Sequence, residues 1–211
     1  MKMMKTVMIA MSFLSLAFTT LAQSDEKSDA ILKKLSTEMK ALKSFHIEFD
    51  MHTKNNATGV DETDSGEGWV QGEKFYATLG ENIILSNGLK IWTITEETVY
   101  ITDADEEEDG SLNPKKLMTI WEEGFKSKYV KEENGMHVIS LYPTNPDEVD
   151  YHTITLHISK ADNSLKKAIM KTKDATTMTY TITKFEKNPT IPASKFVFNK
   201  QKHAGKEIIE D

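Results

Sequence analysis

Between Ser28 and Lys43 apolar residues return every three or four positions. Ile31, Leu32, Leu35, Met39 and Leu42 take one side, and lysines and acids take the other. That spacing predicts an amphipathic helix, capped by Ser28 or Asp29. From Phe45 the period falls to two. In FHIEFDMH, Phe45, Ile47, Phe49 and Met51 point one way and His46, Glu48, Asp50 and His52 the other, the alternation of a half-buried strand. NNATGVDETDSGEG reads as a polar loop. WVQG, KFYATL, the run through ILSNGLKIWTI, and TVYIT then read as short strands bounded by turn residues.

Within that run, Asn87-Gly88 predicts a type I′ hairpin turn. Its flanks are apolar almost without interruption: Ile83, Ile84 and Leu85 before it, Ile91, Trp92 and Ile94 after it. A water-facing hairpin would alternate, so something must lie against its second face. Asn113-Pro114 then opens a second predicted helix, PKKLMTIWEEGF, with Leu117, Ile120, Trp121 and Phe125 as its apolar set and Gly124 at its end. Strands resume with KYV, a turn at Asn134-Gly135, MHVISLYP, YHTITLHIS, a turn at Asp162-Asn163, LKKAIMKT, TMTYTITKFE and KFVFN. The total is about ten antiparallel strands.

Two helices cannot cover that many strands. A helix is roughly 10 Å wide and strands lie about 4.8 Å apart, so two helices cover about four. The sheet is expected to curl around itself or around a ligand. A sheet wrapped on two helices in this way tends to enclose a cavity.

The chain opens MKMMKTVMIAMSFLSLAFTTLAQSDEKSD. Lys2 and Lys5, an apolar stretch and Thr20-Leu21-Ala22 have the pattern of a secretory signal peptide over residues 1–22, cleaved between Ala22 and Gln23. The apolar stretch is far short of the roughly 20 residues needed to span a bilayer. The expected mature protein is a single exported domain, 23–211. It has no cysteine, hence neither disulfides nor a thiol for an acyl anchor of its own. The formal charge is −7 and arginine is absent. A nucleic-acid footprint and bidentate phosphate clamps are thereby excluded.

Catalytic chemistry is not visible. There is no nucleophile elbow, P-loop or dinucleotide fingerprint, and no enzyme, metal or cofactor is expected. His46, His52, His137, His152, His157 and His203 are scattered and read as solvated strand positions. The acidic run Asp103–Asp109 fails as a calcium loop, with Glu108 where glycine is required and Pro114 where glutamate is required. From Asp61 the loop would put Gly72 at that last position, and it fails likewise. What remains is an aromatic set, Phe45, Phe49, Trp69, Phe75, Trp92 and Trp121. On composition alone it fits either plain core or the lining of a ligand site.

Three stretches together resemble the outer-membrane lipoprotein carrier family, LolA: LKSFHIEFDMH after the first helix, GEGWVQGEKFYATLGENIILSNGLKIWTI, and the terminal PASKFVFNKQKHAGKEIIED. They occur in the family's order and spacing, and the Asn113-Pro114 helix falls where the family has a lid. The resemblance implies a mainly β fold with an α lid: a curved, incomplete antiparallel barrel closed by helices around an apolar cavity. It implies a monomeric periplasmic carrier of acylated lipoproteins, taking them from an inner-membrane ABC release complex to an outer-membrane acceptor. The alternative on the same fold is an envelope module that senses lipid or lipoprotein. Expected cavity residues are Phe45, Ile47, Phe49, Trp69, Phe75, Ile84, Trp92 and Ile94, with Leu35, Leu42, Ile120 and Trp121 from the lid. In the family an arginine after the WV strand ties the lid. Here Gln71, Gly72 and Glu73 stand there, and Lys74 is the nearest cation.

Overall fold

The computed structural model describes residues 25–104, 114 and 118–210. The expected signal peptide with its Ala22–Gln23 junction lies outside these residues, as does the acidic run beyond Ala104.

Helix α1 spans Glu26–Lys40. Its cap is Asp25, whose carboxylate accepts from the Lys27 amide at 2.9 Å. Ser28 is not the cap because it has a partner inside: its hydroxyl lies 2.6 Å from that of Ser127, fully buried. Leu32, Leu35 and Met39 press into the main core.

Twelve strands follow: β1 Ser44–Asn55, β2 Val60–Gln71, β3 Lys74–Leu79, β4 Asn82–Ser86, β5 Lys90–Ile94, β6 Thr98–Asp103, β7 Phe125–Glu133, β8 Met136–Pro143, β9 Tyr151–Ser159, β10 Leu165–Thr172, β11 Thr177–Lys187 and β12 Glu207–Glu210. They make one sheet in the order β12-β6-β5-β4-β3-β2-β1-β11-β10-β9-β8-β7. All neighbours are antiparallel except β12, which runs parallel to β6. Of the expected incomplete barrel, the curved antiparallel sheet is present and closure is not. The curved sheet is open, and among the described residues its edge strands β12 and β7 do not pair. A register shift at Glu48/Phe49 between β1 and β11 adds local twist.

Four further expectations change. The polar stretch after Asn55 is not a loop beyond Gly59. Val60–Gln71 pairs along all of β1, and its outer half stays exposed on both faces. Backbone pairing holds there without an apolar alternation to announce it. Asn87-Gly88 is not a two-residue turn, since β4 ends at Ser86 and β5 starts at Lys90. Only Gly88 has positive φ, and the Asn87 side chain accepts from the Leu89 and Lys90 amides. The pair with two positive φ angles is Asn134-Gly135, joining β7 to β8. The second predicted helix lies partly outside the described residues: Pro114 is helical and its carbonyl accepts from the Met118 amide at 3.1 Å, but the end expected to run on to Phe125 is a 3-10 turn, Ile120–Glu122. KFVFN is no strand: Ala193–Phe196 is a 3-10 turn.

The apolar residues sort into two clusters on opposite faces of the sheet. The inner face carries the main core, shared with α1. The outer face of β3–β6 carries Leu85, Trp92, Ile94 and Val99, covered by Ile191 and Phe196 from the C-terminal segment. Trp92 stacks on Phe198 with ring centroids 5.4 Å apart and planes 9° from parallel. The hairpin's second face thus lies against the chain's own C-terminal segment. Lys195 fastens that segment. Its ammonium stands 4.1 Å over the Tyr76 ring and donates to Glu67 Oε1 at 3.0 Å.

Candidate functional site

The inner face is not filled. Between the sheet and the segment carrying Pro114 and Met118–Trp121 lies a cavity of about 430 Å³. On β1, β9 and β11 its wall takes alternate residues, Ile47 and Phe49, Ile154 and Leu156, Tyr180 and Ile182, with Ala168 and Met170 from β10, whereas β3 and β4 at its other side contribute Ala77–Leu79 and Asn82–Ile84 in succession. Met118, Ile120 and Trp121 close it from above.

Two glycines of β2 set how closely the cover approaches. A Cβ at Gly68 would stand 3.0 Å from Ile47 Cγ2 and 3.2 Å from Pro114 Cγ. The bare backbone there admits the proline ring onto the sheet. At Gly66 a Cβ would meet the Phe49 ring at 2.5 Å and Thr78 O at 2.6 Å. Phe49 therefore lies flat over Gly66, tilted against Tyr180 at 6.1 Å. The GEG of GEGWV is the sequence trace of this contact.

The cover is tied to α1. Trp121 Nε1 donates to the buried Ser36 Oγ at 2.7 Å. Glu122 pairs with Lys40 at 2.6 Å, and the hydrogen bond from Lys40 holds the Glu122 carboxyl below its ordinary range. The chain has no arginine, and these two contacts join the cover to the helix without one. Lys74 is exposed at the β2–β3 turn and takes no part.

Of the expected residues, the structure brings together Ile47, Phe49 and Ile84 from the sheet and Ile120 and Trp121 from the cover. Phe45 and Phe75 are buried in the same inner core but stand back from the cavity wall. Phe45 stacks on Phe185 at 5.7 Å. Leu35 and Leu42 line a separate crevice of about 20 Å³ with Met39 and Met118. Trp69, Trp92 and Ile94 are corrected: all three belong to the outer face. Gly68 and Val70 point inward, so Trp69 must point outward, where its ring stacks on His46 at 3.6 Å. His46 departs from the solvated reading as well. It is 2% exposed, with Nδ1 3.0 Å from Glu186 Oε2.

The β9–β11 half of the wall was missed. Its signal was present in YHTITLHIS, whose buried positions alternate strictly through Ile154, Leu156 and Ile158. Among the described residues no group of three or more His, Cys, Asp or Glu is placed to hold a metal, and no helix is long and apolar enough to cross a membrane.

A curved sheet holding an apolar hollow under a short cover is a geometry suited to apolar ligands. The chain belongs to the family of the outer membrane lipoprotein carrier protein LolA, whose model matches residues 40–199. A search of curated protein sequences finds no match. Among solved structures, an uncharacterized conserved protein from Thermus thermophilus shares the fold, with a TM-score of 0.57 at 8% identity over 88% of this chain and 100% of that one. A LolA superfamily protein from Nitrosomonas europaea gives 0.43 at 12%, covering 81% and 97%. LprF from Mycobacterium bovis gives 0.45 at 14%, covering 81% and 98%.

Proposed function

We propose that this protein is a periplasmic carrier that shelters the acyl chains of lipoproteins on their way from the inner to the outer membrane. The observation that carries the reading is the hollow inner face in a chain of this family. Protein interiors are close-packed, and an unfilled apolar space of this size forgoes up to about 10 kcal/mol of packing at about 24 cal/mol per Å³. A fold keeps such a space when a guest restores the contacts.

The guest's side of the balance agrees. A sixteen-carbon chain in water is unfavourable by about 12 kcal/mol at about 0.8 per methylene, so it needs cover to cross an aqueous gap. An inner-membrane ABC complex is the loading partner in this reading, and an outer-membrane protein or lipid surface receives the cargo. The protein works as a monomer without catalysis.

Native mass spectrometry of the protein taken from its own periplasm tests this. An adduct that fragments to acyl chains or an acylated peptide is expected. Ala77→Phe, which fills the hollow from its floor, should lose that adduct and keep its far-UV spectrum. A wild-type protein that is empty, and stays so with added lipoprotein, would overturn the reading.

A further inference from the structure

We propose that Tyr180 is the residue that reads the carbonyl of the acyl group, so that the cavity selects acylated lipids over plain hydrocarbon or ether-linked chains. This inference rests on the acyl-carrier reading and adds the ligand's head to its tail.

The wall is hydrocarbon through Ile47, Ile84, Ile154 and Leu156, and Tyr180 sets a phenol among them. On β11 Tyr180 stands opposite Met51, two pairs beyond Phe49 and Ile182 and on the same face. It is therefore displaced from the level of Gly68, where Pro114 covers the sheet. Among the described residues this end of the cavity, with Leu79 and Asn82, is lined by strands alone. A chain entering tail-first puts its carbonyl there.

The hydroxyl is poorly used within the protein. Among the described residues its bond goes to Met178 Sδ at 3.8 Å, two positions along the same face. A thioether is a weak acceptor, whereas tyrosine hydroxyls drawn into apolar surroundings ordinarily find a good one. An ester or amide carbonyl at the cavity end supplies it. Met178 is unbranched and can swing aside. A plain alkyl chain or an ether offers no comparable acceptor.

The test compares 1,2-dioctanoylglycerol with its dioctyl ether counterpart, which differ only in the two carbonyls, by isothermal titration calorimetry. The wild type is expected to bind the ester about three- to tenfold more tightly, the worth of one net neutral hydrogen bond. Tyr180→Phe keeps the ring and should abolish that preference by weakening the ester more than the ether, with the far-UV spectrum as the check on folding. Met178→Leu frees the hydroxyl, and the preference should hold or grow. Equal wild-type affinities, a Tyr180→Phe variant that loses both ligands alike, or a preference lost in Met178→Leu would each overturn the assignment. Failure of the wild type to bind either lipid would overturn the carrier reading itself.

Discussion

The two faces of the β3–β5 hairpins are equally apolar, yet the inner one is hollow and the outer one is filled. On the outer face the cover is continuous chain. Ile191, Phe196 and Phe198 lie directly on Leu85, Trp92 and Ile94, stacked ring on ring, and Lys195 bonds the segment down. On the inner face the described cover is α1 with Pro114 and Met118–Trp121. They meet it closely at Gly68 and leave the space beyond it unfilled. Apolar composition alone therefore does not mark a binding surface. The distinguishing feature is whether the chain can lay its own side chains across the whole face.

Truncation should break this comparison most visibly. Trp92→Ala removes a ring packed on both sides and is expected to cost roughly 3–5 kcal/mol. Phe49→Ala removes a ring with the cavity on one side and should cost less than half as much. Urea denaturation of both variants measures the difference, and equal losses would mean that the inner face is as tightly filled as the outer.

Adding a methyl sharpens it further. Gly66→Ala puts a carbon against the Phe49 ring and Thr78 O, and an overpacking penalty of about 1–3 kcal/mol is expected. Gly68→Ala meets atoms 0.5 Å or more further off. Its effect should be under about 1 kcal/mol in stability and should show in the ligand dissociation rate. The reverse ranking in a melting series would dismiss the close approach at Gly66.

The smallest effect concerns the ties of the cover. Lys40 depresses the Glu122 pKa in the folded state. That pair therefore stabilises the cover above the ordinary carboxylate value of 4.5, and the contribution fades as the pH falls through the lower folded value. Glu122→Gln should remove this part of the pH dependence and leave the neutral-pH stability within about 1 kcal/mol of wild type, since the pair is largely exposed. Trp121 fluorescence followed from pH 6 to pH 3 in both proteins is the measurement, and identical profiles would remove the pair from the account.

Some of this was legible along the chain. The 3.6-residue period of Ile31–Leu42 and the two-residue period from Phe45 fix helix and strand, because each backbone form places side chains at its own angular step. The imbalance between many strands and little helix pointed to a curved sheet, and the ordered motifs pointed to the family. Tertiary structure alone decided which face is which. Ile84 and Leu85 are adjacent apolar residues in a strand, and nothing local says which looks into the cavity. That depended on a segment more than 100 residues later settling on Leu85 and Trp92. It depended equally on β9–β11 curling round to stand across from Ile47. Trp69 faces outward because its neighbours Gly68 and Val70 face in, and which face counts as inward was itself set by the distant packing. Local pattern sets the form of each element, and long-range packing, absent from any short window, chooses the face that each side chain serves.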